Sequence, residues 1–126
     1  MTMAADLIQT RPARELLLRL PLLPTSPDLR IDYEAANPDV LLALADSAET
    51  VIATLNHGLS AVGIILAHAS PEVGSEIGSD TIESLGWFIG EASDMAATLL
   101  SFAIACRHHT ADYTLPKPDR APVARF

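Results

Sequence analysis

Two runs of apolar residues, spaced at alternating steps of three and four, constrain the fold of this chain more than any other feature. The second run is regular, and the first has two successive steps of four near Asn56. Such spacing places apolar side chains on one face of an α-helix, in a heptad seam that packs against another helix. The seam positions are Leu41, Leu44, Ala48, Val51, Leu55, Leu59, Val62, Leu66 and Ala69 in the first run, and Ile82, Leu85, Ile89, Ala92, Ala96, Leu99, Ala103 and Cys106 in the second.

Residues typical of a helix start and of a helix end flank the first apolar run. Asn37 is a favourable N-cap, Pro38 fits the first helical position, and Asp39 places an acid in the first turn. Pro71 is expected to end this helix, because proline lacks the N–H group that a helix interior needs. We therefore predict a helix over about residues 38–70, followed by a turn over residues 72–78.

The second helix is predicted over about residues 80–109. Asp80 and Glu83 have the spacing of a capping box, which satisfies free N–H groups at a helix start. Arg107, His108 and His109 lie in the last turn, where positive charge interacts favourably with the helix dipole. Two helices of this length joined by a short turn pack as antiparallel neighbours.

The remaining residues form a lead segment, residues 1–36, and a tail, residues 110–126. Within the lead segment, Pro12 to Leu20 predicts a short helix near residues 12–20, followed by a Pro-rich linker. For Leu29 to Tyr33, both an extended segment and a turn of helix remain open. The tail is Pro-rich and basic, and we expect it to be mobile in isolation.

Together these elements predict an all-α fold, a long antiparallel helical hairpin with a short N-terminal helix. A two-helix hairpin cannot bury two wide apolar faces alone. Either the leucine-rich lead segment supplies a third helix or two hairpins pair, and we expect a homodimer that forms a four-helix bundle. Gly86 and Gly90 begin a line of small residues that is either a close-packing surface or only solvent-facing.

Charge is distributed unevenly along this chain, whose net charge is −8. Between Asp39 and Cys106 there is no Lys or Arg, so we expect a hairpin without internal salt bridges to those residues. Its field disfavours direct nucleic acid binding and attracts a protein with a basic surface. Two other interpretations remain open: charge that only maintains solubility, and basic chain ends that fold back on the hairpin.

The sequence also predicts the cellular location of the protein. Cys106 is the only cysteine, so no intrachain disulfide can form. Residues 1–10 lack the pattern of a secretory signal. We take Met95 to Cys106 as the longest charge-free apolar run, and it is shorter than the roughly 20 residues that span a bilayer. We therefore expect a cytoplasmic protein that does not bind a membrane.

Trp87 fits the helical pattern least, because it lies opposite the seam. It is either an exposed contact residue or a residue covered by the lead segment, and the sequence favours neither. With the acids near the turn and on the same helix, it forms a predicted partner-binding set. This set consists of Glu72, Glu76, Asp80, Glu83, Trp87, Glu91 and Asp94.

We predict no catalytic, cofactor-binding or metal-binding residue. His57 and His68 are separated by roughly 16 Å along a helix, too far to bind one metal ion. A pair of His57 with Glu91 or Asp94 could do acid–base work, but a surface contact is the simpler interpretation. Cys106 occupies a seam position, so we expect a buried apolar residue in preference to a reactive thiol.

These features favour a non-enzymatic protein–protein interaction protein, a small acidic regulator, inhibitor or adaptor that acts through its helix faces. A narrower version is a phage or mobile-element inhibitor, anti-CRISPR-like, of a basic nucleic-acid-binding machine. One alternative is a small-molecule sensor or enzyme with a pocket near Phe88, Met95 and Phe102. Another is a structural subunit of a larger assembly.

Overall fold

The structure, a computed structural model, describes residues 11–113, and for residues 70–76 the backbone only. In this range three helices follow one another: α1 (Pro12–Arg19), α2 (Pro38–Glu76) and α3 (Ser79–His108), with a 3₁₀ turn, Leu20–Leu22, after α1. The two long helices pack against each other, and α1 packs on α2. The predicted all-α hairpin with a short N-terminal helix is therefore confirmed.

The start of α2 agrees with the capping signals of the sequence. The side-chain oxygen of Asn37 accepts a hydrogen bond from the N–H of Asp39 at 2.9 Å. Pro38 occupies the first helical position, where its missing N–H costs nothing. These contacts satisfy the exposed end of the helix and fix where it begins.

The end of α2 differs from the prediction, because its backbone stays helical past Pro71 to Glu76. Only Ile77 and Gly78 then separate it from α3. Proline inside a helix removes the hydrogen bond to the carbonyl four residues earlier, here that of Ala67. Ala67 is exposed, so water can hydrate this carbonyl and lower the cost of continuing the helix.

The capping box predicted for Asp80 and Glu83 is wrong. Gly78 is the N-cap of α3, and no side chain caps this helix start. The turn is so short that Ser79 is already helical, and Asp80 lies inside the first turn. There its charge interacts favourably with the helix dipole without acting as a cap.

The segment after α1 is a loop with extended arms. Thr25 and Ile31 form an isolated antiparallel bridge, and the N–H of Asp32 donates to the carbonyl of Pro24 at 2.9 Å. Leu29 lies at its tip with φ of 66°, in the left-handed region. Within Leu29 to Tyr33 only Ile31 pairs in an extended bridge, whereas Leu29 forms the loop tip and Tyr33 begins a turn, so neither alternative holds for the whole segment.

The buried core lies at the proximal end of the hairpin, where α2 begins and α3 ends. Residues 11–36 of the lead segment cover this end, so this part of the segment packs on its own hairpin. Tyr33 fixes its position by stacking on His109 at a ring distance of 4.9 Å and by contacting Phe102. The core cluster consists of Leu16, Leu23, Ala36, Leu41, Leu44, Ala45, Ala48, Ala103 and Cys106.

The distal half of the hairpin, next to the turn between α2 and α3, buries much less. Its seam side chains are only half-buried between the two helices, and Ile82 is 43% exposed. The half-buried seam residues there are Leu55, Leu59, Val62, Leu66, Leu85 and Ile89. Large apolar side chains are also exposed outside the seam, at Ile64, Ile65, Ile77, Trp87 and Phe88.

Both long helices are apolar enough for a membrane span by length and composition alone. The most apolar 18-residue window within Pro38–Ala69 has a mean hydropathy of 1.6 and is 6% buried, and that within Ser79–His108 has a mean hydropathy of 1.3 and is 17% buried. Residues 51–71 contain no Asp, Glu, Lys or Arg, so Met95 to Cys106 is not the longest charge-free run. The expectation that no run is long enough for a bilayer is therefore wrong.

Candidate interaction surfaces

Five predicted partner-binding residues share the outward face of α3. Trp87 is 68% exposed, and the exposed residues Glu83 and Glu91 lie one helical turn before and after it. Asp80 and Asp94 are exposed about one further turn away on the same face. We call these five residues the acidic face. The described part of the lead segment, residues 11–36, packs at the proximal end and does not cover Trp87.

The other predicted sites do not join this face. Glu72 and Glu76 lie outside the residues whose side chains are described. His57 is exposed, and Nδ1 of His68 lies 2.9 Å from the carbonyl oxygen of Ile64 in its own helix. Among the described residues, no cluster of His, Cys, Asp and Glu could bind a metal ion.

Phe88, Met95 and Phe102 are not arranged around one enclosed cavity. Phe102 packs against the proximal core, whereas Phe88 and Met95 are more than half exposed. Of the three, Met95 lines an open groove beside the start of α1. The three residues therefore form a line along one side of α3 that is covered only at its proximal end.

A second groove, of about 310 Å³, lies in the distal half and is lined almost entirely by apolar atoms. Gly86 is in its wall, Gly63 lies one turn before its lining residue Leu66, and Gly90 lies one turn beyond Gly86. We call this side of the hairpin the glycine flank. The groove is lined by Leu66, Ile77, Thr81, Ile82, Leu85, Gly86 and Ile89.

Packing within the described chain does not require the three glycines of this flank. A Cβ atom built at Gly63, Gly86 or Gly90 would meet nothing within 4 Å. Glycine in a helix interior is less favourable than alanine by about 1 kcal/mol, so each one lowers helix stability. The lining of the groove is apolar, and the lack of side chains at these glycines would let another helix approach closely.

Arg107 joins the two long helices on the proximal side. Its Nη2 lies 2.6 Å from Oδ1 of Asp46 and 2.8 Å from Oε1 of Glu49. The expectation of a hairpin without internal salt bridges is therefore wrong, because the register of the two long helices brings Arg107, next to the segment without Lys or Arg, beside two carboxylates of α2. The hydrogen bond from Arg107 lowers the pKa of the Glu49 carboxyl, and partial burial opposes this shift.

We expect Arg107→Gln to lower the free energy of unfolding by about 1 kcal/mol, the upper end for exposed ion pairs, because one guanidinium serves two carboxylates. Pairing lowers the folded pKa of Glu49 below its ordinary value of 4.5. Its stabilisation is therefore present above pH 4.5 and is lost as the pH falls through the folded value. Urea unfolding at neutral and acidic pH checks this.

The matched control for Arg107→Gln is Arg30→Gln. Arg30 pairs with Asp28 at 3.6 Å, and both side chains are largely exposed. This variant should unfold like the parent at every pH. Equal effects of the two substitutions would contradict a specific role for the pairing between α2 and α3.

Cys106 is fully buried in the proximal core. Burial raises the pKa of its thiol to about 11, and Arg107 opposes this shift. The thiolate is the reactive form of cysteine. Its low population and its burial together make Cys106 an unreactive side chain at neutral pH.

A chromogenic disulfide reagent at pH 8 should react with Cys106 at least about 100-fold more slowly in the folded protein than in urea, since a rise of two pKa units reduces the thiolate population about 100-fold. Thr98→Cys in a Cys106→Ala background is the control, because Thr98 is exposed. That thiol should react rapidly in both states. Fast labelling of Cys106 in the folded chain would contradict the burial of its side chain in the proximal core.

These features define a small all-α helical-hairpin protein whose lead segment covers one end of the hairpin. No protein-family model matches this chain, and neither the curated proteins nor the solved structures gave a significant match. Its function therefore has to be inferred from its own surfaces, namely the glycine flank and the acidic face.

Proposed function

We propose that this chain is a non-enzymatic interaction protein that pairs with a second copy of itself through the glycine flank and so forms a four-helix bundle. One observation carries this proposal. The flank combines an apolar groove that the described residues leave unfilled with glycines that have open space beside them. A second hairpin seated there would fill the groove and use the close approach that glycine allows.

Charge favours a second copy as the occupant. Residues 51–71 contain no Asp, Glu, Lys or Arg, so this part of α2 can meet its equivalent without repulsion, although the net charge of each chain is −8. The lining of the groove contains no charged side chain. A twofold axis would let the same apolar patch serve both copies, and the interface would need to bury about 1,000 Å² or more.

The same charges favour the cytoplasm over a bilayer as the location that we propose. Glu83, Glu91 and Asp94 are exposed on α3 within its apolar stretch. A carboxylate at the centre of a membrane-spanning helix costs about 2.5–3.5 kcal/mol. Pairing of two hairpins through the groove, whose lining contains no charged residue, removes apolar surface from water without that cost.

Nuclear Overhauser contacts between two differently isotope-labelled copies test this arrangement. We expect intermolecular contacts among the methyl groups of Leu66, Ile82 and Ile89, which line the groove of the glycine flank. The absence of intermolecular contacts at millimolar protein would contradict pairing. Contacts confined to Met95 and Phe88 would contradict the choice of flank.

We further propose that the acidic face binds a protein with a basic surface, which would make the chain a regulator, inhibitor or adaptor. Trp87 presents an exposed ring between Glu83 and Glu91. A guanidinium group can stack on such a ring while it pairs with a neighbouring carboxylate. If the basic surface of the partner is one that normally binds phosphate, this contact would inhibit a nucleic-acid-binding machine.

We expect an arginine-rich peptide to change the fluorescence of Trp87, the only tryptophan in the chain, and to bind less tightly at high salt. Glu83→Lys with Glu91→Lys should weaken binding at least about tenfold, since at least 1.4 kcal/mol of ion pairing would be lost. Glu34→Lys with Asp112→Lys makes the same change in net charge at exposed positions elsewhere. Equal weakening by both pairs would contradict a specific acidic face.

A further inference from the structure

An apolar groove of about 480 Å³ lies where α1 meets the hairpin. Arg11, Pro12, Ala13 and Arg14 form one wall, and Val51, Thr54, Leu55 and Met95 form the rest. Met95 follows Gly86 by nine residues, which is half a turn around α3 at 100° per residue. The groove therefore lies on the opposite side of α3 from the glycine flank.

We propose that this groove is the docking site of the chain's own residues 1–10. These residues immediately precede Arg11, which is itself part of the wall. The proposed occupant is thus tethered at the edge of its site. Ten residues span about 15 Å as a helix and about 33 Å when extended, enough to reach Met95 in either form.

The sequence of residues 1–10 suits an apolar groove bordered by arginines. Its larger apolar residues recur at helical spacing and would form one face of a helical turn, while polar residues occupy the other. Asp6 is its only charged side chain, and Arg11 and Arg14 in the wall provide the complementary charge. The apolar face would consist of Met3, Ala4, Leu7 and Ile8.

The backbone at the start of α1 is compatible with this arrangement. Arg11 has φ of −132° and ψ of 84°, and Pro12 is the first helical residue. The residue before a proline is biased away from helical angles, and the backbone of Arg11 follows this rule. The non-helical backbone at Arg11 therefore marks the start of α1, at a residue that also lines the groove.

Methyl contacts in the full chain test this inference. A small amount of methyl-labelled protein is diluted into a large excess of unlabelled protein, so that only contacts within one chain are detected. We expect Overhauser contacts from Leu7 and Ile8 to Met95 and Leu55. Leu7→Asp with Ile8→Asp should remove these contacts and shift the Met95 methyl resonance.

The matched control is Thr2→Asp with Gln9→Asp, which adds the same charge on the polar side of the segment and should leave the Met95 resonance unchanged. Lack of contact between residues 1–10 and Met95 in the diluted sample would overturn the inference. Contact seen only between different copies would also overturn it, because the groove would then belong to a second chain. Neither result depends on pairing at the glycine flank.

Discussion

Replacing Leu44 by alanine should lower the free energy of unfolding by about 2–5 kcal/mol, the range measured for large-to-small changes in a buried core. Leu44 is fully buried at the proximal end, beside Leu41 and Cys106. This cluster is the only sizeable core among the described residues, and a domain of this size has a total stability of only about 5–15 kcal/mol. The substitution should therefore remove a large fraction of the stability.

Urea denaturation followed by far-ultraviolet circular dichroism measures this loss. Leu18→Ala is the matched control, because Leu18 lies in α1 but its side chain is 58% exposed. It should change stability by less than about 0.5 kcal/mol. A loss at Leu44 as small as that at Leu18 would show that the proximal cluster is not the core that maintains the fold.

Replacing Gly86 by leucine should convert the proposed dimer into a monomer of unchanged helical content. The new side chain meets open space within the chain, and leucine favours helix more than glycine does. The folded monomer should therefore be as stable as before or more stable. In a dimer the same side chain would occupy the groove that a second copy needs, and overpacking of this kind costs about 1–3 kcal/mol at each site.

An isologous interface contains the substituted position twice, so the dissociation constant should rise by at least about 30-fold, which corresponds to 2 kcal/mol. Thr98→Leu is the control, because it adds the same side chain at an exposed position three turns further along α3. It should leave the dissociation constant unchanged. A Gly86→Leu protein with the same dissociation constant as the parent would show that the glycine flank is not the contact surface.

Local patterns in the sequence were sufficient to predict most of the fold. The heptad seams depend only on the 3.6-residue period of a helix, and the Asn37 cap depends on neighbouring residues, so both can be recognised without tertiary structure. The helix end predicted at Pro71 was wrong because the free-energy cost of a proline in a helix depends on whether water can reach the carbonyl that loses its hydrogen bond. Such exposure is a property of the packed chain.

Contacts between distant residues account for most of what the sequence did not reveal. Arg107 lies 58 residues from Glu49, and only the register of the hairpin brings them together. Two glycines of the glycine flank, Gly86 and Gly90, could be recognised in the sequence because they are four residues apart. Whether small residues line a close contact or only face solvent depends on what surrounds them, and the open space beside both became apparent only in the folded chain.

Sedimentation equilibrium of the 126-residue chain over a wide concentration range measures whether two copies pair through the glycine flank. We expect a mass of twice the chain mass of 13.4 kDa at tens of micromolar protein, and a mass of one chain for Gly86→Leu under the same conditions. A mass of one chain for the parent at every concentration up to millimolar would contradict pairing through the glycine flank.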